Sequence, residues 1–396
     1  MAGRADGSAK GAGDRSPGAA SSRPGWRLLP AALMLLAVAP AAVAQEGTLT
    51  EGATTRVGGG VYLYHYAPVD LVGADDHTEI YAAFVDVDHR AGPWTFHAEA
   101  RWRDTKLREF YPSTIWIQEG WAAYRPPLES SADLSVRAGK LYTRLGRFWD
   151  GSFFGNLHYF DGLKLDPDFG VEAVLDVPAG AARVEARAQY LLNDDRINGA
   201  LEGRDLEGVS SGDESGSPVG SVHVTVPVLE APDGEGGEAA DRLTVRAGLS
   251  GMVERGSVGT DGGAGPDQTP EDVRLEHLAA DAQVTAWGHT AYVEYTDRTA
   301  EGATASTAAG PAGSDADYWL AGVQLHFGAV HLRYNYSRAD YGDAGFHERI
   351  HQPGLTVDLR SWLHAIVEYD DWVREAGPGE PVRMDRSLNF VILSDL

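Results

Sequence analysis

The chain has 396 residues, no cysteine, and 33 basic against 58 acidic residues, a formal net charge of −25. The missing cysteine excludes disulfide scaffolds, cysteine zinc sites and thiol catalysis, and the acidic balance argues against binding duplex nucleic acid. A hydrophobic fraction of 43% is too high for a disordered chain. A negative mean hydropathy disfavours a helical membrane protein but leaves a membrane β-barrel open, because barrel strands alternate polar and apolar residues.

Residues 1–44 read as a secretory signal peptide. Arg23 and Arg27 precede the apolar run Leu28 to Val43, which ends in the small-x-small pattern Ala42-Val43-Ala44 before Gln45. Pro30 and Pro40 and the short run argue against a membrane anchor helix. No cysteine follows the cleavage pattern, so the chain does not read as a lipoprotein. Removing this segment takes away Arg4, Lys10, Arg15, Arg23, Arg27, Asp6 and Asp14 and leaves a net charge of −28. Residues 45–54 form a short N-terminal segment, and 55–396 read as one domain.

That domain alternates with period two, the signature of strands rather than helices. Trp94, Phe96, Ala98, Ala100 and Trp102 share one face, with Thr95, His97, Glu99, Arg101 and Arg103 on the other. Ala182, Val184, Ala186, Ala188 and Tyr190 oppose Arg183, Glu185, Arg187 and Gln189. Ala291, Val293 and Tyr295 oppose Thr290, Tyr292, Glu294, Thr296 and Arg298. Val330, Leu332, Tyr334 and Tyr336 oppose His331, Arg333, Asn335 and Ser337. The pattern predicts strands at 56–67, 78–90, 94–106, 114–125, 132–145, 160–178, 181–193, 217–229, 241–254, 273–286, 289–299, 316–327, 329–340, 349–358, 361–372 and 385–396. A soluble sandwich alternates too. The spacing of the breaks is what discriminates.

Short breaks such as Ala91-Gly92-Pro93, Ala179-Gly180, Trp287-Gly288 and Gly328 alternate with long ones such as 194–216, 255–272, 300–315 and 341–348. The break 230–240 is long in a short slot. An even strand number with loops sorted by length predicts a closed antiparallel transmembrane β-barrel of about 16 strands, with long external loops and short periplasmic turns. Such a barrel leaves an aqueous channel. Aromatic residues near strand ends (Tyr62, Tyr64, Tyr66, Trp94, Trp102, Tyr124, Tyr190, Trp287, Tyr318, Trp319, Trp362 and Trp372) collectively suggest girdles at the two membrane interfaces. The final stretch resembles the terminal-strand assembly signal of outer-membrane proteins, although Leu396 stands where an aromatic residue is usual.

Residues 117–178 carry a more specific likeness. Glu119 to Tyr124, then Gly139-Lys140-Leu141-Tyr142, the loop 146–159 and Tyr159-Phe160-Asp161-Gly162-Leu163 resemble the Gram-negative outer-membrane porins, of general or phosphate-selective type. The Phe-Asp-Gly element also resembles alginate-export barrels, which are longer. The porin resemblance implies that 146–159 folds inward as a constriction loop, with Arg147, Trp149, Asp150 and Asp161 as its site residues. In porins an acidic loop faces a basic wall. That implies a wall drawn from Arg101, Arg103, Arg137, Lys140, Arg144, Arg183, Arg187, Arg246 and Arg333, all on polar faces. Pairing of these arginines with neighbours such as Glu99 and Glu185 is the competing reading.

Gly208–Gly212 and His347–His351 match Gly-x-Ser-x-Gly and His-Glu-x-x-His in letters only, because neither lies on the strand-to-helix turn or the helix that its chemistry needs. His347 and His351 lie four apart outside any helix, and Asp370-Asp371 and Asp75-Asp76 look like solvated external charge. The sequence therefore predicts no enzyme, no catalytic residues, no cofactor and no metal. It predicts a porin of the outer membrane of a Gram-negative bacterium, passing small hydrophilic solutes or ions by passive diffusion. Its partners would be outer-membrane lipid and lipopolysaccharide, with a homotrimeric assembly implied by the resemblance and no nucleic acid. The alternative is a channel specific for an anionic solute, phosphate or an acidic saccharide. A secreted soluble β protein that binds a ligand is a third class.

Overall fold

In a computed structural model, the residues described are 53–69, 76–102, 115–128, 130–147, 155, 157, 167–193, 209–210, 215–229, 243–258, 271–301, 315–342, 345–376 and 381–395. The proposed signal segment, residues 1–44, lies outside them. The strands are β1 (Ala53–Pro68), β2 (His77–Ala91), β3 (Trp94–Trp102), β4 (Ile115–Tyr124), β5 (Asp133–Tyr142), β6 (Pro167–Ala179), β7 (Ala182–Asn193), β8 (Val209–Ser210), β9 (Ser215–Leu229), β10 (Leu243–Val258), β11 (Glu271–Ala286), β12 (His289–Glu301), β13 (Ala316–Phe327), β14 (Val330–Tyr341), β15 (Phe346–Arg360), β16 (Leu363–Ala376) and β17 (Val382–Asp395). Sixteen of them form a closed antiparallel barrel. The two-residue β8, inside the stretch expected to be a loop, only extends the ladder of β10. The ring closes where β1 pairs with both β2 and β17, from Gly60↔Asp395 to Pro68↔Ser387. Closure leaves no unpaired sheet edge in lipid.

The faces are inverted relative to a soluble protein. Leu249 and Leu278 on the outer face are 62% and 61% exposed, whereas Glu294, Asn335 and Glu368 on the inner face are fully buried. Water cannot explain outward leucines beside inward carboxylates. Lipid outside and a polar interior explain both. The faces read from β3, β7, β12 and β14 in the sequence are the ones the structure shows. Arg338 and Asp340 at the end of β14 lie on the outer face and pair with each other.

Short turns gather at one end. Five of them have two residues: Gly92-Pro93, Gly180-Ala181, Trp287-Gly288, Gly328-Ala329 and Ser361-Trp362. In Trp287-Gly288 both residues have positive φ (49° and 77°), the backbone of a turn that matches the twist of a hairpin. At the other end, residues 342–345 are a much shorter link than the expected 341–348. β14 and β15 run on to pair Tyr341 with Phe346, and the two rings pack at 4.7 Å. β15 also holds Pro353. Its ladder to β16 skips Gln352 and Pro353, since proline has no N–H to give.

Exposed aromatics form two bands: Trp94, Phe96, Trp287, Phe327 and Trp362 toward the short turns, and Trp102, Tyr190 and Trp319 toward the long loops. Amphipathic rings at both water–lipid boundaries fit this spacing. Tyr64, Tyr318 and Trp372, expected in the girdles, instead face inward. Tyr64 donates to Asn389, Trp372 donates to Glu348, and Tyr318 is fully buried.

Candidate functional site: the lumen wall and its inward segment

After β5 the chain turns into the barrel. The backbone N–H of Arg144 donates to Gln189 Oε1 on β7 at 2.9 Å, and that of Gly146 donates to Ser250 Oγ on β10 at 2.7 Å. The N–H of Arg147 donates to the Glu294 carboxylate on β12. Further along, the Leu157 N–H donates to Ser337 Oγ on β14 at 3.4 Å, and the Gly155 carbonyl accepts from Gln352 Nε2 on β15 at 2.8 Å. Described residues of one connection thus touch wall strands from β7 to β15. Leu145 and Leu157 anchor it, both buried in an interior apolar cluster with Leu141, Leu191, Val219, Met252, Tyr318 and Ile350. Gly146 has φ of +56°, and a Cβ there would lie 2.5 Å from the Glu294 carboxylate carbon. Only glycine gives both that backbone and that approach.

One sector of the lumen is basic. Glu172 on β6 forms an ion pair with Arg137, its Oε1 2.6 Å from Arg137 Nη2, and its Oε2 accepts from Arg187 Nη1 at 2.8 Å. Arg187 Nη2 also reaches Glu185 at 3.3 Å. On β9, His223 Nε2 lies 2.9 Å from Asp281, whose other oxygen is 3.8 Å from Arg246 Nη1. Arg147 stacks over the Tyr292 ring at 3.8 Å and donates to Gln283. Arg144, Gly146, Arg147, Glu185, Arg187, Ser221, His223 and Arg246 surround a cavity of about 240 Å³.

The opposite sector is acidic. Glu368 on β16 takes Arg333 of β14. Asp370, two residues on, accepts from Gln352 Nε2 at 2.9 Å and Asn389 Nδ2 at 2.5 Å. Asp385 on β17 accepts from Tyr66 Oη of β1 at 2.8 Å, and Glu348 on β15 accepts from Arg374 Nε at 2.5 Å. Along the strand order, β7 and β16 are half the ring apart. Opposed charge on facing walls of a tube sets up a field across it.

The expected site residues divide among several places. Arg137, Arg144, Arg147, Arg187 and Arg246 come together in the basic sector. Arg333 lies with the carboxylates, and Arg101 pairs with Glu99. Arg183 pairs with Asp176 at the short-turn end. Lys140 does not offer its charge to the lumen: it is 1% exposed, and its Nζ donates to the Ile117 carbonyl at 2.6 Å. Arg144 follows β5 rather than belonging to it. Arg103, Trp149, Asp150 and Asp161 lie outside the described residues. The described part of the inward segment contributes Arg144 and Arg147 to the basic sector; the acidic residue expected in the loop, Asp150, is not among the described residues. Of the pair Asp370-Asp371, only Asp370 departs from expectation. Asp371 is outward beside Arg383, but Asp370 is buried inside. His347 contacts Glu375 and His351 contacts Tyr334, so the two do not converge. The carboxylate sector was readable from strand parity, because Glu368 and Asp370 share a face, but no motif marks it.

No protein-family model matches the chain, and no curated protein matches it. Solved structures do match. The outer-membrane expressed OmpT of Vibrio cholerae aligns with a TM-score of 0.53 at 14% identity, over 88% of this chain and 98% of that one. An anion-selective porin from Comamonas acidovorans aligns at 0.53 with 10% identity, over 87% and 100%. OmpF of Salmonella typhi aligns at 0.50 with 13% identity, over 89% and 100%. The fold is porin-like. At these identities the likeness is one of architecture, and the lumen chemistry is this chain's own.

Proposed function

We propose that this chain is an outer-membrane porin through which small hydrophilic solutes or ions diffuse passively, with no chemical step. The observation that carries the reading is the inverted barrel with a segment anchored across its interior wall. A barrel of this strand number leaves an aqueous lumen, and an inward segment narrows it. Residues 1–44 would direct export as a cleaved signal peptide. Loop 146–159 would act as the sieve, with wall charge setting ion preference. The aromatic bands would hold the barrel in outer-membrane lipid, and the outward ion pairs near the long-loop end would meet lipopolysaccharide. A homotrimer accords with a trimer form described for a structural neighbour.

A second reading, preference for an anionic solute, is favoured by the four arginines around one cavity in the basic sector. Planar-bilayer recording of the purified protein tests both. Stepwise ohmic conductance is expected, with a reversal potential displaced toward the anion in a salt gradient. Absence of steps in every salt would refute the channel. A reversal potential displaced toward the cation would refute the second reading alone.

A further inference from the structure

Four side chains meet at the short-turn mouth of the lumen, away from the inward segment. His326 of β13 and His331 of β14 flank the turn Gly328-Ala329 and stand directly opposite each other in the ladder. Asp358 of β15 and His364 of β16 flank Ser361-Trp362 and are also directly opposed. All four follow the parity of the inner face, His331 with Arg333 and Asn335, and His364 with Glu368. They touch in a line. His326 Nδ1 lies 2.6 Å from His331 Nδ1. Asp358 Oδ2 accepts from His331 Nε2 at 2.7 Å, and its Oδ1 accepts from His364 Nδ1 at 2.7 Å. His326 is exposed and the other three are partly exposed, so solution reaches them. An ionised carboxylate only accepts, so Asp358 fixes the proton of His331 on Nε2 and leaves a lone pair on Nδ1. That lone pair is aimed at the Nδ1 of His326, closer than the usual hydrogen-bond range of about 2.7–3.2 Å.

We infer that His326 and His331 form a two-imidazole site for a divalent transition ion of the copper(II) and zinc class, with Asp358 as the group that orients His331. An ion about 2.0–2.1 Å from each nitrogen needs them roughly 3 Å apart, which a slight swing of the exposed His326 ring supplies. A ligating imidazole that gives its other N–H to a carboxylate is the usual support for such an ion, and Asp358 is itself held from the far side by His364. The donor set selects the ion. Imidazole suits copper, zinc and nickel, whereas calcium and magnesium take oxygen ligands. The chain has no cysteine, so no thiolate competes for the ion. Copper(II) binds more tightly than zinc in the general order of divalent affinities. No three His, Asp or Glu donors converge on one point among the described residues, so water completes the coordination. Other described histidines spend a ring nitrogen elsewhere: His65 and His89 on threonine hydroxyls, His223 and His277 on carboxylates, and His289 on the backbone N–H of His326. The sequence predicted no metal, since no motif marks this pair; the hairpin register brings the two rings together. The inference needs only the fold and does not depend on passage of solutes.

Isothermal titration of the detergent-solubilised full chain with zinc chloride should show a saturable site that excess calcium or magnesium does not displace. Copper(II) should displace zinc, and its electron paramagnetic resonance spectrum should carry splitting from two nitrogen donors. Asp358→Asn replaces the charged acceptor of the His331 Nε2–H with a neutral one. It should weaken zinc binding about 10-fold to 100-fold while the two-nitrogen spectrum persists. His326→Ala and His331→Ala should each weaken binding further and reduce the spectrum to one nitrogen. His347→Ala, on the outer face, should change neither. Heat-modifiable gel mobility reports whether each variant is folded, and His326→Gln and His331→Gln substitute if the alanine variants fail. Equal zinc affinity in wild type and both histidine variants overturns the site, as does a copper spectrum with fewer than two nitrogens in the wild type. Displacement of zinc by calcium would mark an oxygen-ligand site and overturn it too. Absence of zinc binding overturns the site and leaves the channel reading untouched.

Discussion

The sector around β6 to β10 and the sector around β14 to β17 and β1 are built from the same alternation but differ on both faces. Inside, the first gathers Arg137, Arg187, Arg246, Arg144 and Arg147, and the second gathers Glu348, Glu368, Asp370 and Asp385. Outside, the first carries apolar residues such as Val171, Tyr190, Val222 and Leu249, whereas the second places Arg338–Asp340, Arg349–Glu375 and Arg383–Asp371 toward its long-loop end. A strand's parity decides which residues face water. It leaves the sign of the charge open, and that sign differs across the ring.

The largest expected effect comes from removing a shared carboxylate. Glu172→Ala leaves Arg137 and Arg187 without the carboxylate both pair with, and should cost about 3–5 kcal/mol, as should Glu368→Ala, which deprives Arg333 of its buried partner. Urea unfolding in bilayers measures both. A loss under about 1 kcal/mol for Glu172→Ala alone would mean that the basic sector is water-filled and the acidic one dry. Next in size is the outer face. Leu278→Arg should destabilise by about 2–4 kcal/mol, and Arg338→Leu near the long-loop boundary by less than about 1 kcal/mol in either direction. Equal effects would erase the distinction between the two outer faces.

Selectivity gives a smaller free-energy signal with a clear sign. Arg187→Ala with Arg246→Ala should move the reversal potential toward cations, and Glu368→Gln with Asp385→Asn should move it toward anions. Each wall charge contributes about 1 kcal/mol in a wet lumen. Shifts of the same sign would break the opposition of the sectors. The smallest effect belongs to Arg183→Ala at the short-turn rim, where an exposed pair with Asp176 should leave both selectivity and stability unchanged.

Most of the barrel was legible because its rule is local. Each of the sixteen predicted strands has a counterpart in the ring, and errors fall at ends. β14 and β15 ran past their predicted ends because Tyr341 and Phe346 stack across the link and prolong the ladder. The site was legible only in outline. Arg144 was read as a strand residue, but the chain leaves the sheet after Tyr142 because Leu145 finds burial in the interior cluster. Lys140 carried the right charge at the right spacing, yet its ammonium is satisfied by a backbone carbonyl on β4. Asp370 looked like surface charge because its neighbour Asp371 is. Gln352 and Asn389, 18 residues before and 19 after it, are what make its burial tolerable.

By itself the sequence determined the strand number, the alternation of faces and the sorting of most loops by length. These follow from a period of two and from glycine and proline at breaks, which neighbouring residues set. Only the tertiary structure decided which charges share a wall, which arginines are spent on carboxylates, and where the inward segment is fastened. Those depend on register between strands far apart in sequence. Ring closure brings β1 against β17 and sets β7 opposite β16, and no local pattern encodes that placement.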